Sequence, residues 1–287
     1  NIKNKLSRPI LATIFSQHLQ HNLQIARQAA PDAKVMAVIK ANAYGHGLLH
    51  VAHALRDAGA YALLNIEDAL QLRAAGLTQT IILLEGVFSL AELQQCQAAK
   101  LSPVFHQPQQ LDWLKALTAP EPLSVLLKLN SGMNRLGFSA EGFKSALHTL
   151  EQSPHVASIT LMTHFACADE KSHGISQALA YFTQHTTALP YKKSLANSAA
   201  LLRYPESHAD WVRAGIMLYG SSPFAEISAA ELGLLPSMQL NSAIISIQQL
   251  QAGDCVGYAA SFCASQAMRV GIVACGYADG YPRHAPT

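Results

Sequence analysis

The 287-residue sequence is poor in charge: Lys, Arg, Asp and Glu together make up 13% of it, and the formal net charge is +2. No stretch gathers lysines and arginines into a basic run, which argues against nucleic acid or an anionic membrane surface as the main partner. No apolar run approaches the roughly 18 residues that a membrane-spanning helix needs. We therefore expect neither nucleic acid nor membrane among the partners of this protein.

Cysteine is also scarce, and the few cysteines are scattered along the chain. They are odd in number and show neither a C-x-x-C pair nor the spacing of a zinc site, so we predict free thiols in a reducing cytoplasm. The residues concerned are Cys96, Cys167, Cys255, Cys263 and Cys275. His50 and His53 share one predicted helix face but lack a nearby carboxylate, so we expect no metal site. The first nine residues lack the layout of a signal peptide.

Short β-rich runs alternate with amphipathic helical patterns from about residue 34 to 220. The predicted strands are 34–40, 60–65, 80–85, 102–106, 123–130, 156–165, 192–196 and 211–217. The predicted helices are 48–58, 67–75, 90–99, 109–117, 140–152 and 176–188, with Asn65 and Ser89 where N-caps belong. Such alternation indicates right-handed βαβ units and a parallel sheet. Eight units favour a closed (β/α)8 barrel of the TIM type, with an open doubly wound sheet as the alternative.

The two ends of the chain depart from this repeat. A predicted strand (10–15) and helix (17–30) precede the first unit, and from about residue 236 the apolar pattern changes to period two. Predicted strands at 242–248, 254–258 and 268–276 indicate a second, mostly β domain. We predict a barrel domain over residues 9–230 and a β-rich C-terminal domain over 231–287 with 1–8, and we expect that domain to be incomplete in this chain.

Polar residues recur where the barrel strands end, which is where (β/α)8 enzymes carry their chemistry. Strand one ends in Lys40, strand five carries Lys128, and strand six ends in His164. Phosphate sites in such barrels follow strands seven and eight, so Ser198 and the backbone N–H groups of Gly215 and Ile216 are expected to surround a phosphate.

Lys40 closes the apolar run Val35–Ile39. An amine at the end of a buried strand is desolvated, which lowers its pKa and favours imine formation with a carbonyl compound. The alternative is a lysine that extends from a strand end into water. The glycines after Lys40, and the residues expected to surround a phosphate after strands seven and eight, favour a desolvated lysine that forms an imine.

Several motifs occur together and in a fixed order. They are AVIKANAYGHG (37–47), KLNSGMNRLG (128–137), THFACAD (163–169), NSA (197–199), RAGIMLYG (213–220), VGY (256–258) and GYADG (276–280). The ordered set resembles the alanine racemases, and the resemblance runs from about residue 9 to the end. It implies a fold-type III pyridoxal-phosphate enzyme, a barrel followed by a β domain, that works as a homodimer with shared active sites.

The resemblance also implies two catalytic bases that act on opposite faces of an amino-acid substrate. Lys40 would be the Schiff-base lysine and one base, and Tyr258 of the other subunit would be the second. The phosphate of the cofactor, pyridoxal 5′-phosphate, would be held by Tyr44, Ser198, Gly215 and Ile216, with Asn197 among the cofactor-binding residues. The implied activity is interconversion of L- and D-alanine in the cytoplasm, which supplies D-alanine for peptidoglycan.

The remaining roles come from the same resemblance. Arg213 would hydrogen-bond the pyridine nitrogen, and His164 would lie between Arg213 and Tyr258. Arg135 would orient substrate and cofactor oxygens, and Tyr277 would line the substrate entrance. Lys128 matches a lysine that is often carbamylated in this family and that steadies the arginine.

This sequence differs from the usual family pattern at three places near these residues. Asn130 stands where many members have Asp, Ala214 replaces a common Pro, and Ala259 a common Gly. None of the changes removes a reacting group, although Asn130 weakens the case for carbamylation of Lys128.

Three alternatives stay open on the sequence. A fold-type III decarboxylase usually places a carboxylate at the pyridine nitrogen, which Arg213 argues against. A non-catalytic carrier of the cofactor is a single barrel, which the segment Val256–Tyr258 argues against. A racemase of serine or of broad specificity is not distinguished by the residues that can be placed.

Overall fold

The computed structural model of the protein describes residues 8–282. The described chain forms two compact units, one over residues 15–237 and one over residues 8–14 together with 238–282. The first strand, β1 (Ile10–Ile14), belongs to the second of these units. The predicted domain limits, 9–230 and 231–287 with 1–8, stay a prediction.

The larger unit is a closed barrel of eight parallel strands, so the predicted barrel is confirmed and the open sheet is not. Each strand pairs with the next along the chain, and the last pairs with the first. The strands are β2 (Lys34–Val38), β3 (Ala60–Leu63), β4 (Thr80–Leu83), β5 (Ser102–Phe105), β6 (Leu123–Lys128), β7 (Val156–Met162), β8 (Lys192–Ser194) and β9 (Trp211–Ala214).

Every barrel strand begins where the pattern predicts but ends earlier. The hydrogen-bonded ladder stops while the extended, apolar chain continues out of the barrel, so the pattern alone overestimates strand length. Lys40 therefore follows β2 by two residues and His164 follows β7 by two. Both residues lie just beyond the carboxyl edge of the barrel, and Lys40 begins the short helical turn Lys40–Tyr44.

Helices connect the strands, close to the predicted positions. They span Ser16–Ala29, Leu48–Ala54, Ile66–Ala74, Leu90–Ala99, Pro108–Lys115, Ala140–Gln152, Ser176–Thr186 and Ser198–Arg203. Ser89 caps its helix as predicted, since its hydroxyl accepts a hydrogen bond from the backbone N–H of Glu92 at 3.1 Å. Asn65 occupies the N-cap position of the helix Ile66–Ala74 without a capping side-chain bond.

Alternate residues of neighbouring strands form one buried apolar cluster: Met36, Val38, Ala60, Ala62, Ile82, Val104, Leu126 and Met162. Side chains two apart on a strand point to the same face, so Lys128 continues the face of Leu126 toward the carboxyl edge. Arg213 pairs in register with Met36 and shares its face in the same way. The apolar interior thus ends in two buried cations.

The smaller unit is built of antiparallel pairs, as the period-two pattern predicts. β1 pairs with β10 (Met238–Ser242), β11 (Ile244–Leu250) with β14 (Met268–Val273), and β12 (Cys255–Val256) with β13 (Phe262–Cys263). Cys255 and Cys263 are partners in the last register and form a disulfide. The prediction of free thiols is therefore wrong for these two cysteines, because the hairpin brings together residues that the sequence shows only as scattered. Cys96, Cys167 and Cys275 are free.

Between residues 8 and 282, no helix is both long and apolar enough to cross a membrane.

The turn at Gly220 gives a stability prediction for the barrel unit. Gly220 has φ +79°, and a Cβ added there would overlap the carbonyl oxygen of Leu235. Gly76 is a matched control, because its φ is +80° and no described atom lies within 4 Å of such a Cβ. Both alanine variants bear the left-handed strain of roughly 1–2 kcal/mol. We expect Gly220→Ala to lower the free energy of unfolding by about 3 kcal/mol or more. Equal losses for the two variants, measured by urea unfolding, would contradict this packing.

Candidate active site

A cavity of about 410 Å³ lies at the carboxyl edge of the barrel. Residues that follow seven of the eight strands line it, as the fold rule for such barrels requires. The site residues that the sequence predicts within the barrel unit all meet there: Lys40, Tyr44, Lys128, Arg135, His164, Asn197, Ser198, Arg213, Gly215 and Ile216.

The backbone that follows Lys40 is left-handed. Ala41, Asn42, Ala43 and Tyr44 all have φ between 52° and 55°, and the N–H of Ala43 donates to the carbonyl of Ile39 at 3.0 Å. Left-handed helical backbone costs L-residues roughly 1–2 kcal/mol each, so the surrounding fold must hold this turn in place. Sequence reasoning missed it, and Asn42, a residue type that tolerates this conformation, is the one local signal.

Tyr44, Ser198 and Gly215 enclose a small polar space. The Ser198 hydroxyl accepts a hydrogen bond from the Gly215 N–H at 2.8 Å. A Cβ added to Gly215 would lie 3.1 Å from the Tyr44 hydroxyl and 3.7 Å from the Ser198 hydroxyl. Glycine thus leaves open a space bordered by two hydroxyl groups and by the start of the turn Ile216–Tyr219. These groups can donate hydrogen bonds to a phosphate.

Neighbouring contacts fix the residues that border this space. The ring of Tyr44 stacks on Tyr219 with centroids 4.6 Å apart, and the Tyr219 hydroxyl donates to the carbonyl of Val38 at 3.0 Å. Asn197 accepts from the N–H of Ala200 at 3.0 Å and donates to the carbonyl of Phe165 at 3.2 Å. Asn197 therefore caps the helix that begins at Ser198 and fixes the position of that serine.

Arg213 is 3% exposed, and hydrogen bonds fix the position of its guanidinium. It donates to the Ser194 hydroxyl at 2.7 Å and to the carbonyls of Thr163 and Leu195 at 2.8 and 2.9 Å. Burial, and then the charge of Arg135, lower the pKa of Arg213 to about 9. The group stays positive at neutral pH, so the barrel carries a fixed cation under the cavity.

His164 faces this cation and is neutral. Arg213 donates to the His164 Nδ1 at 3.2 Å, which leaves the imidazole proton on Nε2. Burial lowers the pKa of His164 to about 2, with further lowering by Arg213, Lys128, Arg135 and Lys40. A neutral imidazole held in this tautomer can donate one hydrogen bond from Nε2 to a group beyond it.

Lys128 is 4% exposed, and its pKa is lowered to about 8 by burial and then by the charges of Arg213 and Arg135. The carboxylate of Glu85 acts in the opposite direction. Glu85 and Asp169 also line the cavity, and sequence reasoning gave neither of them a role in the site. For Glu85 the signal was available, because it ends the predicted strand 80–85 at the same barrel edge.

Arg135 is exposed, on a loop that Asn130 organises. The Asn130 side-chain oxygen accepts from the N–H groups of Gly132 and Asn134 at 3.1 and 3.0 Å. The side-chain amide of Asn130 donates to the Asn134 side chain at 2.9 Å. The amide at position 130 thus shapes the loop that presents Arg135 to the cavity.

Tyr258 and Tyr277 lie in the smaller unit and are 85% and 66% exposed. Each begins a short 3-10 turn, Tyr258–Ala260 and Tyr277–Asp279. Among residues 8–282, no group of three or more His, Cys, Asp or Glu side chains is arranged to hold a metal ion.

The chain matches two protein-family profiles. Residues 14–223 match the profile "Alanine racemase, N-terminal domain", and residues 237–287 match "Alanine racemase, C-terminal domain". Among curated relatives, the alanine racemase of Nitrosospira multiformis is 55% identical over 98% of this chain and 80% of its own length. That of Nitrosomonas europaea is 50% identical over 98% and 79%.

The solved structures that this chain resembles are also alanine racemases. A biosynthetic alanine racemase from Pseudomonas aeruginosa has a TM-score of 0.94 and 44% identity, covering 97% of this chain and 78% of its own. An alanine racemase from Bartonella henselae, solved with covalently bound pyridoxal phosphate, has a TM-score of 0.85 and 27% identity over 96% and 77%. The similarity therefore covers both units of the chain.

Proposed function

The chain belongs to the alanine racemase family and is an amino-acid racemase, and we propose that it interconverts L- and D-alanine by a two-base mechanism. We propose further that it works as a cytoplasmic homodimer with pyridoxal 5′-phosphate and supplies D-alanine for peptidoglycan. One observation carries the proposal: Lys40, the space at Gly215 and the buried Arg213 share a single cavity. Matches to both domains of one racemase family argue against the carrier and decarboxylase alternatives.

The residues of the cavity fit this cofactor. Hydroxyls of Tyr44 and Ser198 and backbone N–H groups at Gly215 and Ile216 would hold the phosphate, in the space that a Cβ would fill. Lys40 would hold the cofactor covalently through its amine. When bound, the cofactor supplies an electron sink for the charge left on the substrate after loss of its α-proton. Arg213 would present a fixed positive charge to the ring nitrogen and keep that nitrogen unprotonated.

Racemisation requires one proton to leave one face of the substrate and another to arrive on the opposite face. Lys40 reaches one face only, so a second base is needed. We assign this role to Tyr258 of a partner subunit, and its 85% exposure in this chain suits a residue that completes a site elsewhere.

A tyrosine with its ordinary pKa near 10 would cost roughly 4 kcal/mol to use as phenolate at pH 7. The neutral His164 can reduce this cost by donating from Nε2 to the phenolate oxygen, because its Nδ1 already accepts from Arg213. Arg135 and Tyr277 are assigned to orienting the substrate and to lining its entrance.

Three measurements on the purified holoprotein test the function. We expect a visible absorbance band from the covalently held cofactor, a borohydride-stable adduct at Lys40 by peptide mass spectrometry, and loss of optical rotation from L-alanine. Lys40→Ala should lack all three, whereas Lys34→Ala, at the other end of β2, should keep them. Inversion of L-serine at a rate comparable to L-alanine would instead favour a racemase of broad specificity, and no inversion of either would refute the function.

Tyr258→Phe tests the two-base assignment. Racemisation should fall about a hundredfold or more in both directions, because each direction needs both bases and the two enantiomers are equally stable. Exchange of the α-hydrogen with solvent should persist for the enantiomer whose proton faces Lys40 and be lost for the other. Tyr281→Phe, another exposed tyrosine of the same unit, is the control. Similar losses of exchange for both enantiomers, followed by NMR in heavy water, would rule out Tyr258 as the second base.

Carbamylation of Lys128 is also part of the proposal. Carbon dioxide reacts with a neutral amine, and a pKa of about 8 leaves far more neutral amine near pH 7 than the ordinary value of 10.5 does. The carbamate would replace a buried cation by an anion, which the charges of Arg213 and Arg135 would favour as they now disfavour the ammonium form. We expect labelled bicarbonate to be incorporated increasingly as pH rises toward 8, and not in Lys128→Arg. Absence of label in the wild-type protein would show that Lys128 is unmodified.

A further inference from the structure

Cys255 and Cys263 close a hairpin whose tip carries Tyr258. The two cysteines are register partners on β12 and β13, and a disulfide joins them. The two cysteines are eight positions apart in the sequence and Tyr258 lies between them, so the cross-link closes a short segment that contains the tyrosine. Both cysteines are exposed in this chain.

Little besides the disulfide holds this segment. Each strand of the hairpin has only two residues. Beside them, the Gly253 N–H donates a hydrogen bond to the carbonyl of Ala264, and the Ala264 N–H donates to the carbonyl of Asp254, both at 2.8 Å. Ala264, at the base, is 2% exposed, whereas all of the tip except the half-buried Val256 is exposed.

The backbone of the tip is also strained. Ala259 and Ala260 have φ of 59° and 47°, a left-handed conformation that alanine does not favour. Such backbone persists only where other contacts over-determine it. With so few contacts at the tip, the covalent link between its two ends is the main constraint that its own chain places on where Tyr258 points.

We infer that Cys255 and Cys263 form a reversible thiol–disulfide pair that controls the racemase by fixing or releasing the segment that carries Tyr258. The inference rests on the proposed function, because it takes Tyr258 to be the second base. The disulfide state holds the base in position and is the active form, and the dithiol state loosens it.

The chemistry requires a thiol–disulfide partner, which we take to be a low-molecular-weight disulfide such as oxidised glutathione. The thiolate of one cysteine attacks that disulfide, forms a mixed disulfide and releases one small thiol. The second cysteine then attacks the mixed disulfide and releases the other. The protein loses two electrons and two protons in total, and one small disulfide becomes two thiols. Excess small thiol reverses both steps.

The other cysteines of the described chain lack such an arrangement. Cys96 is buried, and burial raises the pKa of its thiol to about 12, which suppresses the reactive thiolate. Cys167 and Cys275 are free and part-buried. In a reducing cytoplasm, an exposed disulfide at a hairpin is reduced and re-formed as the thiol pool changes, which suits a sensor rather than a permanent cross-link.

The experiment equilibrates the holoenzyme with graded ratios of reduced and oxidised glutathione. Differential alkylation and mass spectrometry measure the fraction of the Cys255–Cys263 disulfide, and racemisation of alanine is measured on the same samples. We expect activity to follow the disulfide fraction and to fall about tenfold or more on reduction, since a displacement of about 1 Å at a base can cost a hundredfold. Exchange of the α-hydrogen that faces Lys40 should change little.

Two variants make the result specific. The double variant Cys255→Ser with Cys263→Ser should be fixed at the low activity and insensitive to glutathione, while Cys275→Ser should respond as the wild-type protein does. Failure of the disulfide to form at any ratio, or equal activity of the oxidised and reduced holoenzyme, would overturn the inference. Higher activity on reduction would overturn it as well. A holoenzyme with no racemisation in either state would instead refute the proposed function.

Discussion

The site depends on one buried cation, the Arg213 guanidinium at the carboxyl end of the barrel. A charge buried at the end of an apolar interior is costly unless hydrogen bonds satisfy it, and Arg213 is bonded to the Ser194 hydroxyl and to two backbone carbonyls. Those partners come from the ends of β7 and β8, so the barrel must close before the cation can be accommodated. Its position is therefore as rigid as the barrel itself.

The other ionisable groups of the cavity respond to this charge. His164 is kept neutral and in one tautomer, and the pKa of Lys128 is lowered toward neutrality. In each case burial is the larger cause and the Arg213 charge adds to it. Arg213 thus fixes the tautomer in which His164 can donate from Nε2, and together with burial it makes Lys128 a potential nucleophile. This is how a barrel with few charged residues obtains a strongly polarised site.

Strained backbone lies next to several of the proposed site residues. Among the described residues other than glycine, those with positive φ lie beside Lys40, Arg135 or Tyr258, with Lys100 at a helix end as the exception. At Lys40 the strain is contained by the packed barrel, through Tyr44, Tyr219 and the carbonyl of Val38. At Tyr258 the main constraint within the chain is a disulfide. The two proposed bases therefore differ in how firmly they are held, and only the second depends on a bond that thiols can break.

The sequence by itself determined the eight strand positions, the order of the helices, the change to a β pattern near residue 236 and the residues at the barrel edge. Periodicity and the ends of apolar runs are local properties, so they can be read without knowing which strands are neighbours. The family motifs added the roles that we propose for Lys40, Tyr258 and Arg213, which no local pattern distinguishes from ordinary strand residues.

Only the tertiary structure decided where each strand stops, the left-handed turn after Lys40, the space at Gly215, the neutral state of His164 and the pairing of Cys255 with Cys263. Each of these depends on atoms that are distant in sequence. A ladder ends where its neighbour ends, a pKa responds to burial and to charges from other strands, and a disulfide requires two residues to meet. Such contacts exist only once the chain has folded, which is why the sequence showed the residues but not their states.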